Sequence, residues 1–201
     1  TSSKVNFALD GLPTYPSLGE RTDMFRGFTN IAPTMEYLER AFDEAKYGWY
    51  STRPYIDGAI QSTIDPDMAP PGKHVMSCFI HYTPYELRGS DWPTEREHMA
   101  DNVQATLESF FPGFSDLVLQ REIVTPLDIE TVAGLPEGNI FHGEFFAPQM
   151  YFFRPAPGWS QYRTPIEGYY QCGSGTHPGG CVSGGPGWLA SQRILRDLAT
   201  A

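Results

Sequence analysis

The sequence predicts an α+β protein built on a largely antiparallel sheet, and three observations predict it. Lys4 to Asp10 alternates apolar Val5, Phe7 and Leu9 with polar neighbours, the period of a half-buried strand. Strand-like and helix-like segments are mixed along residues 1–160 rather than strictly alternating, which disfavours a parallel βαβ array. From Glu167 onward the pattern changes to a short apolar strand (Tyr169 to Cys172), a glycine-rich turn and a helix running from about Gly185 to the end.

After the first strand, Gly11 to Pro33 reads as loop, because prolines and glycines break any period. A helix then starts with Thr34 as N-cap and Glu36 in its first turn, and stops near Gly48. Met35, Leu38, Phe42 and Ala45 give it an apolar stripe at helical spacing. Tyr55–Thr63 and Lys73–Thr83 read as strands, separated by a proline-rich turn at 65–72 that excludes regular structure. Thr94 and Glu97 have capping-box spacing and open a helix to about Phe111, which Pro112-Gly113 ends. Leu117–Val124 reads as a strand, and Thr125-Pro126 starts a short helix with threonine as cap and proline at the first helical position. Asn139–Phe146 reads as a strand or an extended loop, and 147–167 as an irregular aromatic stretch.

Seven glycines fall between Cys172 and Trp188. A strand that passes through such a turn into a helix start offers unpaired N–H groups and the positive end of a helix dipole, a ready site for an anionic ligand. The spacing is neither GxGxxG nor a P-loop, and Ser174 and Ser183 lack a GxSxG frame. Taken without further context, the turn reads first as a tight connection that lets strand and helix pack closely.

The run GYYQCGSGTHPGGCVSGGPG resembles the C-terminal flavin motif of the phytoene desaturase-like FAD-dependent oxidoreductases. The branch it is most similar to is the phytoene dehydrogenase-related, pyridine nucleotide-disulphide oxidoreductase domain-containing type. DPDMAPPGKHVMS at 65–77, GLPEGNIFHGE at 134–144 and QMYFFRPAPGWSQYRTPIEGYY at 149–170 resemble the same branch, so the likeness covers most of the chain. Cys181 stands where the family usually shows glycine, and Ser183 where proline or threonine is common. The resemblance implies that residues 1–160 form a substrate-domain-like α+β region and 161–201 the C-terminal segment of an FAD-binding domain. The N-terminal unit with the glycine fingerprint, which holds most of the FAD in the family, is absent here. The chain then corresponds to a C-terminal fragment or a subunit that needs a partner chain, inactive alone.

The same resemblance implies cofactor contacts from Gly173, Ser174, Gly175, Gly179, Gly180, Val182 and Gly184. It also implies hydride transfer to flavin from a small apolar, unsaturated substrate, in a desaturase, dehydrogenase or isomerase reaction. Met150, Tyr151, Phe152, Phe153, Trp159, Tyr162 and Tyr169 line a substrate channel or pack a core; Arg154 and Arg163 anchor a ligand or pair with surface acids. His177 reads as a loop-fixing residue rather than an acid or base, and no catalytic residue can be named. Cys172, His177 and Cys181, with His142, invite a zinc reading, but the paired Cys-x2-Cys units of structural zinc are missing, and Cys172 is better explained as a small buried residue. No metal is therefore assigned.

Forty per cent hydrophobic and 14% aromatic residues describe a globular chain, and a net charge of −10 argues against a nucleic-acid partner. No apolar run is long enough to cross a bilayer. Three cysteines are no disulfide framework, which points to the cytoplasm or another reducing compartment such as a mitochondrial matrix. The competing reading is a non-catalytic interaction module that forms a homodimer through its last helix, whose Trp188, Leu189, Ile194, Leu195 and Leu198 need cover.

Overall fold

A computed structural model describes residues 1–200 other than Leu18, Glu20, Phe145 and Cys181. It contains two compact units, Thr1–Gly138 and Asn139–Ala201.

The first unit is a five-stranded, wholly antiparallel sheet with helices, so the predicted class is observed. Its strands are β1 (Ser3–Leu9), β2 (Phe28–Ile31), β3 (Tyr55–Ala59), β4 (His74–His81) and β5 (Val118–Val124), in the order β2-β3-β4-β1-β5. The alternation in β1 works as read: Ser3, Val5, Phe7 and Leu9 are buried and the residues between them half-buried. In register beside them, Met76, Cys78 and Ile80 of β4 face the same way. Helix α1 spans Met35–Lys46 and α2 spans Trp92–Phe110. Met99, Val103 and Leu107, at helical spacing on α2, join those strand residues in one core cluster. Phe7 closes edge-to-face on Phe114 of the short helix α3 (Phe114–Leu117), with ring centroids 5.3 Å apart. Each such large side chain contributes roughly 1.5–3 kcal/mol by leaving water.

The caps explain the helix starts. Thr34 accepts a hydrogen bond from the Tyr37 amide, and Thr125 with Asp128 forms a full capping box ahead of α4 (Pro126–Ala133). Five sequence expectations are corrected. The strand expected over Tyr55–Thr63 ends at Ala59, and Gln61–Thr63 forms a 3-10 turn instead. α2 starts at Trp92, because the Asp91 carboxylate accepts from the Thr94 amide and Pro93 suits the first turn. β2 occupies part of the expected loop, and α3 takes Leu117 from the expected strand. On α1, Met35 and Phe42 are exposed while Leu38 and Ala45 are half-buried beside the buried Ala41, so only part of the apolar stripe is covered.

The second unit is mostly irregular, as expected for an aromatic, proline-rich stretch. It carries short 3-10 turns at Ala147–Gln149 and Tyr151–Phe153, then ends in α5 (Gly185–Thr200). Asn139–Phe146, which reads as strand or loop, contains no strand among its described residues. The expected buried strand at Tyr169–Cys172 reduces to a single bridge between Arg163 and Tyr170, with Tyr169 and Cys172 exposed. No helix among the described residues is long and apolar enough to cross a membrane.

Candidate functional site

The glycine turn is braced by hydrogen bonds from side chains and its own backbone. Thr176 donates to the Gly173 carbonyl twice, through its amide at 3.0 Å and its hydroxyl at 2.8 Å. The Gly179 amide reaches the Thr176 carbonyl at 2.7 Å, and the buried Tyr162 hydroxyl donates to the His177 carbonyl at 2.9 Å. Ser183 accepts from the Gly185 amide where α5 begins. His177 thus takes part through its backbone, in keeping with a loop-fixing place. Tyr151 and Tyr162 both hold left-handed backbone, at φ 52° and 67°. Such conformations cost about 1–3 kcal/mol for a bulky residue and persist only where the surroundings dictate them.

The turn's glycines fall into three physical groups. Gly179 (φ 107°) and Gly184 (φ 67°) need glycine for their backbone angle. A Cβ on Gly185 would press on Pro178 at 3.1 Å, so packing accounts for that one. Gly173, Gly175 and Gly180 have neither reason. Their φ values lie outside the left-handed range, and an added Cβ meets nothing within 4 Å at Gly173 and only ordinary contacts of 3.8–3.9 Å at Gly175 and Gly180.

Gly173, Ser174 and Gly175 line a cavity of about 470 Å³ together with Arg154, and Pro155, Gln149, His142, Thr176 and residues 169–172 complete its wall. Four of the predicted site residues are therefore brought together. Gly179, Gly180, Val182 and Gly184 are not on that wall, and Val182 is fully exposed. Tyr151 and Tyr162 line a second cavity of about 390 Å³ with His177 and Leu189, while Phe153 sits half-exposed against Phe152. Sequence reasoning missed Gln149 and Thr176 entirely. Their hydrogen bonds are short-range, the Gln149 side chain accepting from the Glu144 amide and the Thr176 hydroxyl donating to the Gly173 carbonyl, and follow no motif.

The two arginines differ in surroundings. Arg154 is buried and donates to three backbone carbonyls: Gln149 at 3.0 Å, Phe141 at 2.6 Å and Ser174 at 2.8 Å. Burial lowers its pKa. Arg163 is exposed and makes a two-pronged pair with Asp197 of α5, whose carboxylate also accepts from the Tyr170 hydroxyl at 2.8 Å. The Arg163 bond above all holds the Asp197 pKa down, at about 2. Among the described residues no cluster of three or more His, Cys, Asp or Glu side chains is placed to hold a metal ion; Cys181, part of the zinc reading, lies outside them. On α5, Pro186 and Ala190 are buried, while Trp188, Leu195 and Leu198 are exposed along one side.

Comparison with known proteins gives the family. Over 98% of its length the chain is 43% identical to pyridine nucleotide-disulfide oxidoreductase domain-containing protein 2 of Rattus norvegicus, covering 35% of that protein. It is 30% identical to one of the limonene dehydrogenase chains of Castellaniella defragrans, over 67% of the chain and 26% of the relative. It is 34% identical to phytoene desaturase (lycopene-forming) of a Paracoccus species, over 69% of the chain and 28% of the relative. No family model matches the chain. These relatives place it among oxidoreductases of the phytoene desaturase-like kind. The chain belongs to their phytoene dehydrogenase-related, pyridine nucleotide-disulfide oxidoreductase domain-containing branch, and it spans about a third of the length of the curated relatives it matches.

Proposed function

We propose that this chain supplies the C-terminal part of an FAD-dependent oxidoreductase and that its glycine turn lays backbone against the flavin. The observation that carries this is the group Gly173, Gly175 and Gly180: the chain's own conformation and packing leave room for a side chain there, so the reason for glycine lies in what approaches from outside. A cradle that a Cβ would fill is what close approach of a flat cofactor requires, and the residues present fit FAD in that sense. Gly173, Ser174 and Gly175 hold it at the cavity wall, with Gly179, Gly180, Val182 and Gly184 along the rest of the turn. When bound, FAD supplies the hydride acceptor, so the protein need not supply a proton-transfer group for that step. The chain's residues bind, orient and exclude water.

A helix start contributes roughly 0.3–1 kcal/mol toward an anionic group, far less than FAD retention needs. The main cradle therefore belongs to an N-terminal region or a partner chain, and the isolated chain is inactive. Residues 161–201 serve the flavin side and 1–160 the substrate side in this reading. The substrate is a small apolar, unsaturated molecule that is dehydrogenated or isomerised; Tyr151, Phe153 and Tyr162 offer it aromatic surface. A reducing compartment suits the free thiols of Cys78 and Cys172.

The test compares flavin content of the full-length protein with that of this chain alone. The expected ratio is near one flavin per full-length protein and near zero for the isolated chain. Stoichiometric FAD on the isolated chain contradicts the division of labour, and none on the full-length protein contradicts the cofactor. The exposed side of α5, with Trp188, Leu195 and Leu198, favours a second reading in which the chain dimerises there as an interaction module. A monomer by solution mass, with and without residues 185–201, removes it.

A further inference from the structure

Arg154 is the most deeply buried charged side chain of the second unit, at 4% exposure, and it stands on the wall of the candidate flavin cavity. Its hydrogen bonds go to the protein itself. Nη1 bridges the carbonyls of Phe141 and Ser174, and Nε reaches that of Gln149, so one guanidinium ties three segments that are separated by up to 33 residues. The bond to Ser174 has a consequence for the next residue. The Ser174–Gly175 peptide is not among the cis bonds, and in a planar trans peptide C=O and N–H point in opposite directions. Fixing the Ser174 oxygen on Arg154 therefore fixes the Gly175 N–H facing away from the guanidinium. Among the described residues that amide donates no hydrogen bond, although Gly175 lies on the cavity wall. An N–H held in one orientation without a protein acceptor is what a pre-organised ligand contact needs.

We propose that Arg154 is a positioning residue of the flavin site: it holds the Ser174 carbonyl and thereby aims the Gly175 amide at the cofactor, without contacting the cofactor itself. This rests on the flavin reading above. It departs from the simpler role of a ligand-anchoring arginine, because Nε and Nη1 are already committed to carbonyl oxygens. The use of two differently placed nitrogens explains the choice of residue. Lysine carries one compact donor centre and cannot reproduce the fork.

The experiment uses the full-length protein with FAD as probe, comparing Arg154→Ala and Arg154→Lys with the parent. Flavin affinity is read by fluorescence, and the visible absorption of the bound flavin is read at saturating FAD. Loss of one charge-assisted bond that orients the amide is expected to weaken FAD by about 10- to 100-fold. The saturated spectrum is expected to shift in both variants, and added guanidinium ion is expected to return Arg154→Ala toward the parent spectrum. A merely structural arginine would lower occupancy while leaving the spectrum of the bound cofactor as it is. An unshifted spectrum, affinity within about twofold of the parent, or failure of both variants to yield folded protein overturns the proposal. A parent protein that binds no FAD overturns the flavin reading and this inference with it, and that outcome is visible before any variant is made.

Discussion

Gly175→Ala sets two effects of opposite sign against each other. In the free chain the new Cβ meets only the His142 Cβ, at 3.9 Å, and the backbone angle lies outside the left-handed range. Removing a glycine at a compatible position narrows the unfolded ensemble and stabilises by about 0.4–1 kcal/mol. For a chain of this length that raises the melting midpoint by roughly 1–4 °C. On the proposed flavin reading, the same methyl group in the full-length protein takes space that the cofactor needs. Overpacking of about 1–3 kcal/mol then weakens FAD roughly 5- to 150-fold. Thermal denaturation followed by circular dichroism reads the first effect, and flavin fluorescence titration the second. Gly173→Ala, with nothing within 4 Å of its Cβ, follows the same pattern. Gly179→Ala and Gly184→Ala are the controls: at φ 107° and 67° they lose about 1–2 kcal/mol of stability. A Gly175→Ala chain destabilised by more than about 1 kcal/mol would show that the glycine serves the fold. Unchanged FAD affinity would show that nothing approaches it. Either result refutes the reasoning.

Two further outcomes are expected. The Asp197 carboxyl is depressed to about 2, chiefly by Arg163, so its stabilising contribution is complete above the ordinary carboxyl range, near pH ~4, and is lost as the pH falls toward 2. Hydrogen exchange along α5 should therefore accelerate across that window, and Asp197→Asn should flatten this part of the acid profile; an identical profile in the variant contradicts the pairing. In a Cys181→Ser background, a thiol reagent should modify exposed Cys172 quickly and Cys78 only on unfolding, since burial pushes the Cys78 thiol up to about 12. Equal rates at the two cysteines contradict the burial of Cys78; FAD bound to the full-length protein should slow the Cys172 reaction, and an unchanged Cys172 rate contradicts the flavin's place at the cavity wall.

Local signals carried much of the fold. Alternation at Val5, Phe7 and Leu9, and the Thr34 and Thr125 caps, depend on neighbouring residues alone, and each element appears where those residues place it. β2 was not legible because Phe28, its first residue, is 76% exposed and the strand is defined by pairing with β3, a long-range contact without a local period. The α1 stripe partly misled, for a related reason: apolar spacing shows which side could be buried, but Ala41 is the residue that is fully covered while Met35 stays in solvent. In the second unit the glycine turn stood out in the sequence, and the family likeness suggested a ligand for it. The apolar letters at 169–172 suggested a buried strand, yet Tyr169 and Cys172 are exposed, because one bridge pair is all that meets them. The surroundings of Arg154 were beyond reach, since three carbonyls from three segments leave no trace in residue types. Missing glycine side chains show in a sequence, but whether the chain itself needs them missing does not.

Amide hydrogen exchange of the full-length protein, read at Gly173, Ser174, Gly175 and Gly180 with and without FAD, tests most directly whether this turn serves a cofactor. The predicted result is protection of about tenfold or more at Gly175 on FAD binding, the value of one hydrogen bond gained. Exchange at these four amides that stays the same while FAD is fully bound would mean that the cofactor lies elsewhere.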